Sequence, residues 1–295
     1  MIIISESSPQ LSPSASANDI RKVTQTAELV GIQSYYIPQS FDNISIEDAF
    51  SHIPEMVKEE IAFWIGYVPD PEHYRNVYQE LLKKNIRLVN SPEDFQQAEE
   101  FDRYYPYIEH MTCKSLVATS VSEAKMMAQK IGYPVFIKGT IQSFKKWGWK
   151  SCVAYEESAL ENIVSNLYKS TSRSLGKVII REVMQLRHVE KTGTDFPKGR
   201  EYRVFLLNNQ VIDYSYYWDN DDLLRTVSKA EETIILDTAT QASVQIGVPY
   251  IAVDIGQKES GEWTLIEVGD AQFSGICAIS PVKLWQRILQ LETVN

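Results

Sequence analysis

The chain has 295 residues, 44% hydrophobic and 11% aromatic, enough apolar surface for a sizeable core, which excludes a disordered chain and a disulfide-stapled mini-protein. Lys and Arg number 29 against 39 for Asp and Glu, a net charge of −10 that argues against a uniformly basic nucleic-acid-binding surface. Cys113, Cys152 and Cys277 are scattered without a C-x-x-C, which suits a reducing compartment, and Met1 to Glu6 lacks a basic segment and a long apolar run. A cytoplasmic protein without a membrane span is expected.

The first hundred residues alternate between two periods. Strands are expected at Ile2–Ile4, Ser34–Ile37, Ile61–Ile65 and Ile86–Val89, and helices at Ser16–Val30 and around Tyr74, Val77, Tyr78, Leu81 and Leu82. That pattern predicts a small α/β domain over residues 1–94 with a parallel sheet. Asn90-Ser91-Pro92-Glu93-Asp94 starts a helix, expected over Phe95–Tyr105, that leads into a second domain over 95–295.

In that second part, a helix Glu123–Ile131 ends at Gly132, and the strand Tyr133–Lys138 closes on a lysine. A mobile loop Gly139–Gly148 then leads to a strand near Lys150–Tyr155, a helix Ser158–Tyr168 and the apolar strand Val178–Ile180. Strands Tyr202–Leu207 and Val211–Trp218 meet at Asn208-Asn209-Gln210, and a helix Val227–Ile246 follows. Strands Tyr250–Ile255 and Trp263–Val268 precede a last helix capped by Ser280 and opened by Pro281.

Asp254 and Glu267 are the most informative pair. If their strands pair symmetrically about the turn Gly256–Glu262, partners sum to 521, and these two face each other. Like charges directly opposite are destabilising, so they call for compensation: a divalent cation with oxygen ligands, to which Asp270 could add a third, is one reading, and the other is that one carboxylate faces solvent or pairs with Lys or Arg.

Lys138, Lys145, Lys146 and Lys150 surround a loop with Ser143, Trp147 and Trp149. Such a loop can lie over a polyphosphate, although a solvated basic face is the plainer account and interleaved aromatics also suit a single-stranded nucleic acid. In Gly199-Arg200-Glu201-Tyr202-Arg203, period 2 puts Glu201 and Arg203 on one face with Phe205 and Leu207, as an ion pair or with Arg203 free for phosphate. Val178-Ile179-Ile180-Arg181-Glu182-Val183 is an apolar strand ending in charge, where backbone groups could grip a planar base, although an ordinary strand end is the plainer reading. No G-x-G-x-x-G, P-loop, H-E-x-x-H or G-x-S-x-G is present.

In this order, strand-ending Lys138, basic loop, Arg181-Glu182-Val183, Arg200-Glu201-Tyr202-Arg203, Asp254 and Leu265-Ile266-Glu267-Val268-Gly269-Asp270 resemble the ATP-grasp superfamily, in particular its clade named for two arginines and one lysine. The resemblance covers residues 95 to 290, and residues 1 to 90 by architecture alone. It implies an N-terminal pre-ATP-grasp-like domain followed by a two-lobed grasp, with lobes at about 111–185 and 186–295. Lys138 and Lys145 would meet phosphates, with Arg181 and Glu201 also lining the nucleotide site. Glu182 and Val183 would hold adenine through their backbone, Arg203 would meet the transferred phosphate, and Asp254, Glu267 and Asp270 would coordinate Mg²⁺. Arg203 and Lys138 would be catalytic. A helix that in relatives often carries another nucleotide-binding lysine reads Asp94-Phe95-Gln96-Gln97-Ala98 here.

The implied chemistry is ATP-dependent ligation of a carboxylate to an amine, on a small-molecule, peptide or protein substrate, with loops Leu186–Lys198 and Asp219–Leu224 expected to set specificity. Phosphoryl transfer to a hydroxyl, nucleic-acid end modification and a non-catalytic nucleotide-binding module are the alternatives. Residues 1–110 hold 8 basic and 18 acidic side chains, so the whole excess lies there. Residues 111–185 hold 11 basic against 5 acidic, and 186–295 hold 10 against 16, two lobes of opposite sign.

Overall fold

The computed structural model describes residues 1–8, 13–188, 197–218 and 223–292. Most of the expected specificity loop 186–198 and most of 219–224 lie outside the described residues. No described helix is long and apolar enough to cross a membrane.

The first layer contains β1 (Ile2–Ser5), α1 (Ala15–Leu29), β2 (Gln33–Tyr36), α2 (Ile46–Phe50), β3 (Glu60–Ile65), α3 (Pro71–Leu82) and β4 (Ile86–Leu88). Its sheet runs β2-β1-β3-β4, every pair parallel, as the alternation of strands and helices predicts. Ser14 caps α1 by accepting the N–H of Ala17, and Asp70 caps α3 ahead of Pro71. The five-residue α2 is too short to show a period and was not expected.

The helix expected over Phe95–Tyr105 is two helices, α4 (Pro92–Glu99) and α5 (Phe101–Ile108). Ser91 and Asp94 form a capping box that fixes the start at Pro92. The break is at Glu100, whose ψ of 108° is extended, because the N–H of Phe101 leaves the helix to donate to Thr140 O at 3.0 Å.

The second layer contains β5 (Ser115–Ala118), α6 (Val121–Ile131), β6 (Val135–Gly139), β7 (Val153–Ala154), α7 (Glu157–Lys169), α8 (Thr171–Ser174) and β8 (Val178–Glu182). The sheet is antiparallel in the order β5-β8-β6-β7, and α6 and α7 cover Val135, Ile137, Val178 and Ile180. The strand expected near Lys150–Tyr155 shrinks to two residues, since 145–147 and 149–151 form 3-10 turns.

The third layer contains β9 (Glu201–Leu207), β10 (Gln210–Tyr216), α9 (Lys229–Ile246), β11 (Tyr250–Gln257), β12 (Trp263–Asp270) and α10 (Pro281–Glu292). Its antiparallel order is β10-β9-β11-β12. Asn208 and Asn209 both take positive φ, the backbone that a two-residue hairpin turn requires and Asn tolerates. One face of β9, with Tyr202, Val204 and Leu206, packs with Ile235, Ala239 and Ala242 of α9. The other, with Phe205 and Leu207, joins Ile3 and Phe63 of the first sheet, Ile20 and Val23 of α1 and Trp285 and Ile288 of α10 in one core. Trp285 Nε1 donates to Val23 O there at 2.9 Å.

Polar side chains also join the first and third layers. Asn90 takes both backbone groups of Tyr250, donating to its O at 2.8 Å and accepting its N–H at 2.9 Å. Gln272 Oε1 accepts the N–H of Trp64 at 2.9 Å, while its Nε2 donates to Tyr74 Oη at 3.0 Å and Asp270 Oδ2 at 3.2 Å.

A cleft between two antiparallel sheets as the candidate active site

The site begins with strand register. Asp254 of β11 lies directly opposite Glu267 of β12, and the sum of 521 holds from Ile251–Asp270 to Asp254–Glu267. Beyond Asp254 the register slips by one, Ile255 facing Leu265, so Ile266 is a bulge residue. On the other side, Asp254 faces Arg203 of β9. Facing residues share a side of the sheet, so Arg203, Asp254 and Glu267 form a row across three strands.

Arg203 answers Asp254 with two bonds, Nε to Oδ1 at 2.8 Å and Nη2 to Oδ2 at 2.7 Å, and its Nη1 donates to Gly275 O at 3.0 Å. Such a two-pronged contact is what a guanidinium does best. Glu267 pairs with Lys138, which reaches across from β6 of the other sheet and is only 3% exposed. The two like charges are therefore each met by a protein cation, and the row runs Arg203, Asp254, Glu267, Lys138 with the two carboxylates in the middle and a cation at either end. Burial by itself would raise the Glu267 carboxyl, but Lys138, Lys145 and Arg181 bring it down to about 2. Burial pulls the Lys138 ammonium the other way, below its ordinary value, and Glu267 opposes that.

The bulge has a use. Arg181, at the end of β8, donates from Nη2 to the Ile266 carbonyl at 3.2 Å and to Thr112 Oγ1 at 3.0 Å, and from Nε to Ser115 Oγ at 3.0 Å. Its guanidinium stands 4.9 Å from the Phe101 ring centroid. Arg181 thus ties the two sheets together at the floor of the cleft, a role its place in an apolar strand did not reveal.

Glu201 and Arg203 share a face, as period 2 predicts, but they are not each other's partners. Glu201 is buried, and that burial pushes its carboxyl up to about 7 against the pull of Lys145. Lys145 is drawn inward, and its Nζ donates to Tyr217 Oη at 2.9 Å. Burial would lower its pKa, but Tyr217 and Glu267 hold it above the ordinary value. Its neighbour Lys146 lies instead over the indole of Trp147, which is exposed.

Part of this constellation lines a cleft of about 400 Å³ between the second and third layers, within the range of small-molecule sites, while Arg203, Asp254 and Tyr217 stand beside it. Lys138, Lys145, Arg181, Glu201 and Glu267 form its charged end, and Glu182, Val183, Met184 and Gln185, at the end of β8 and just beyond it, run along its side. Phe136, Trp149, Tyr155 and Ile266 supply flat or apolar walls.

Asp270 is not part of this constellation. Three residues beyond Glu267 is an odd step along a strand, which turns the side chain to the opposite face. There Asp270 is fully buried, with Oδ1 accepting the N–H of Gln272 at 2.9 Å and Oδ2 accepting Gln272 Nε2, and burial raises its carboxyl to about 7. Among the described residues no three His, Cys, Asp or Glu side chains are grouped to hold a metal ion. Asp254 and Glu267 remain as a two-carboxylate pair. Gln272, for which the sequence suggested no task, holds Asp270 and Trp64 together.

The comparisons with known proteins agree with this architecture. The family model for the ATP-grasp domain of the clade named for two arginines and one lysine, family 3 of that clade, matches residues 110–288, more than half of the chain. No curated protein matches it by sequence. Among solved structures it is similar to D-alanine–D-alanine ligase from Bacillus anthracis complexed with ATP, with a TM-score of 0.66 at 11% identity over 99% of this chain and 96% of that one. D-alanyl-alanine synthetase A from Vibrio cholerae gives 0.63 at 12% identity, covering 99% and 97%. The ATP-grasp ligase PsnB, complexed with a minimal precursor, Mg and ADP, gives 0.57 at 15% identity, covering 99% and 98%. At such identities the likeness is one of fold.

Proposed function

The chain belongs to the ATP-grasp family, in the clade named for two arginines and one lysine, and we propose that it is an ATP-dependent carboxylate–amine ligase acting on an amino acid, a peptide or a protein. The observation that carries this reading is the row Arg203, Asp254, Glu267 and Lys138, whose Glu267 and Lys138 line the charged end of a cleft large enough for a nucleotide and whose Asp254 and Arg203 continue beside it. The relatives support it: the Bacillus anthracis ligase was solved with ATP, and PsnB with a precursor, Mg and ADP.

When bound, Mg²⁺-ATP supplies the phosphoryl group that turns a carboxylate into an acyl phosphate, from which an amine can displace phosphate. The residues present suit that group. Asp254 and Glu267 offer oxygen ligands from adjacent strands, and Mg²⁺ is commonly held by one or two carboxylates together with substrate phosphates. Lys138 and Lys145 neutralise phosphate oxygens as point charges. Arg203 spends three of its five N–H donors on Asp254 and Gly275 and keeps a rigid, permanently charged fork beside the row. Glu182 and Val183 lie where backbone groups can meet the nucleobase, and Phe136 and Ile266 give it an apolar slot. Catalysis of this kind is positioning and charge neutralisation, which needs no nucleophilic side chain.

The test is product analysis. Incubation with Mg²⁺-ATP and panels of amino acids and peptides should give an ATP-dependent mass gain with ADP and phosphate. Lys138→Ala and Glu267→Ala should abolish it while circular dichroism stays native. AMP and pyrophosphate as products would replace ligation with adenylation, and no rise in Tm at millimolar Mg²⁺-ATP would remove the nucleotide from the cleft.

A further inference from the structure

Two cations meet at one tyrosine, Lys145 from the lining of the cleft and Arg203 from the row beside it. Lys145 Nζ lies 5.0 Å from the centroid of Tyr217, and the Arg203 guanidinium carbon lies 4.8 Å from it. The hydroxyl of the same tyrosine accepts the hydrogen bond from Lys145 at 2.9 Å. The register explains the meeting. Ser215 faces Arg203, and the N–H of Tyr217 donates to Glu201 O at 2.9 Å, so Tyr217 continues β10 on the face that carries Glu201 and Arg203.

Lys145 comes from the other side of the cleft, out of the 3-10 turn Lys145–Trp147 between β6 and β7. That stretch is outside the ladder of its sheet and is held by Arg173, which donates to Gln142 Oε1 and Ser143 O. A lysine side chain there carries four rotatable bonds, and ordering it costs up to about 2 kcal/mol of rotamer freedom. The like charges of Lys145 and Arg203 also oppose each other. The electron-rich aromatic face attracts the Arg203 guanidinium, and the phenol oxygen fixes Lys145, the more flexible of the two.

We infer that Tyr217 is a positioning residue that sets the spacing of Lys145 and Arg203, so that two neighbouring phosphate groups of a bound nucleotide meet cations already in place. The inference rests on the proposed nucleotide reading of the cleft. It makes Tyr217 matter to the polyphosphate and not to the nucleoside, which lies against residues 182–185.

Calorimetric titration of the full chain tests it. Adenosine and the β,γ-imido analogue of ATP, each with Mg²⁺, are titrated into wild type, Tyr217→Phe and Tyr217→Leu. Tyr217→Leu loses both ring contacts and the hydrogen bond, and should raise the Kd of the analogue about tenfold while adenosine changes by less than about twofold. Tyr217→Phe keeps the ring and should raise the analogue's Kd by about threefold, again without touching adenosine. A purely structural role would weaken both ligands by the same factor, and that result, or an unchanged analogue Kd in both variants, overturns the inference. Tyr217→Phe keeps the test decisive if the leucine variant fails to fold. A wild-type protein that binds neither ligand would overturn the nucleotide reading itself.

Discussion

Gln272→Leu should cost this fold several kcal/mol although the residue touches no part of the cleft. The substitution is close in volume and removes three bonds: the N–H of Trp64 to Oε1, and those from Nε2 to Tyr74 Oη and to Asp270 Oδ2. Tyr74 keeps a bond, since its hydroxyl also donates to Asn90 O at 2.7 Å. The Trp64 N–H and the Asp270 carboxylate oxygen are left buried without these partners. Each such group costs about 1–3 kcal/mol, so a loss of about 2–6 kcal/mol is expected. Gln272→Glu is the sharper variant. It keeps the acceptor for Trp64 but sets a second carboxylate against Asp270, so it should be less stable than Gln272→Leu at pH 8 and recover as the pH falls. Urea denaturation of the three proteins at pH 5.5 and 8 reads both effects. A midpoint for Gln272→Leu equal to wild type would show that the junction between the first and third layers does not depend on these bonds.

Three other outcomes are expected. Gly139→Ala would place a Cβ 2.2 Å from the Arg173 carbonyl, a backbone atom that cannot step aside, so melting should show a loss of about 3 kcal/mol or more. The buried carboxyls of Glu6, Glu201 and Asp270 are each raised to about 7, so between pH 5 and 7 the folded chain binds more protons than the unfolded one. The contribution of these three groups should therefore be present in full below the ordinary carboxylate pKa and fall as pH rises towards 7, by up to about 1.4 kcal/mol per unit for each group, which denaturation between pH 5 and 7 checks. Arg203→Lys keeps the charge but loses the two-pronged contact with Asp254. It should cost about 1–2 kcal/mol in denaturation and about tenfold or more in turnover, and wild-type turnover would detach Arg203 from the chemistry.

Much of the site was legible because strands carry their own ruler. The symmetric pairing of Asp254 with Glu267 follows from the turn between them, and the shared face of Glu201, Arg203, Phe205 and Leu207 follows from period 2. The same ruler, applied to Asp270, turns it away from Glu267. What stayed hidden are contacts between residues far apart in the chain. Lys138 and Glu267 are 129 positions apart and Lys145 and Tyr217 are 72, so local pattern cannot say which cation answers which carboxylate or ring. The bulge at Ile266 was hidden for a related reason, because the carbonyl it presents is taken by Arg181 from another sheet. Glu100 shows tertiary structure overriding local preference, since a good helix former becomes a break where Phe101 bonds Thr140.

The joint between α1 and α10 has a bearing on how the chain comes to be folded. Trp285, Ile288 and Leu284 complete the core that begins with Ile3, Ile20 and Val23. During synthesis the ribosome makes the first sheet and α1 long before α10, and the core on that side, to which β9 and β11 add Phe205, Leu207 and Tyr250 on the way, stays incomplete for almost two hundred further residues. The part that Leu284, Trp285 and Ile288 cover would meanwhile stand open to water and to other chains, the kind of surface that chaperones hold. Emergence of α10 from the exit tunnel would then be the event that completes this core, and a nascent chain stalled ahead of Pro281 should stay protease-sensitive in the segment that was made first.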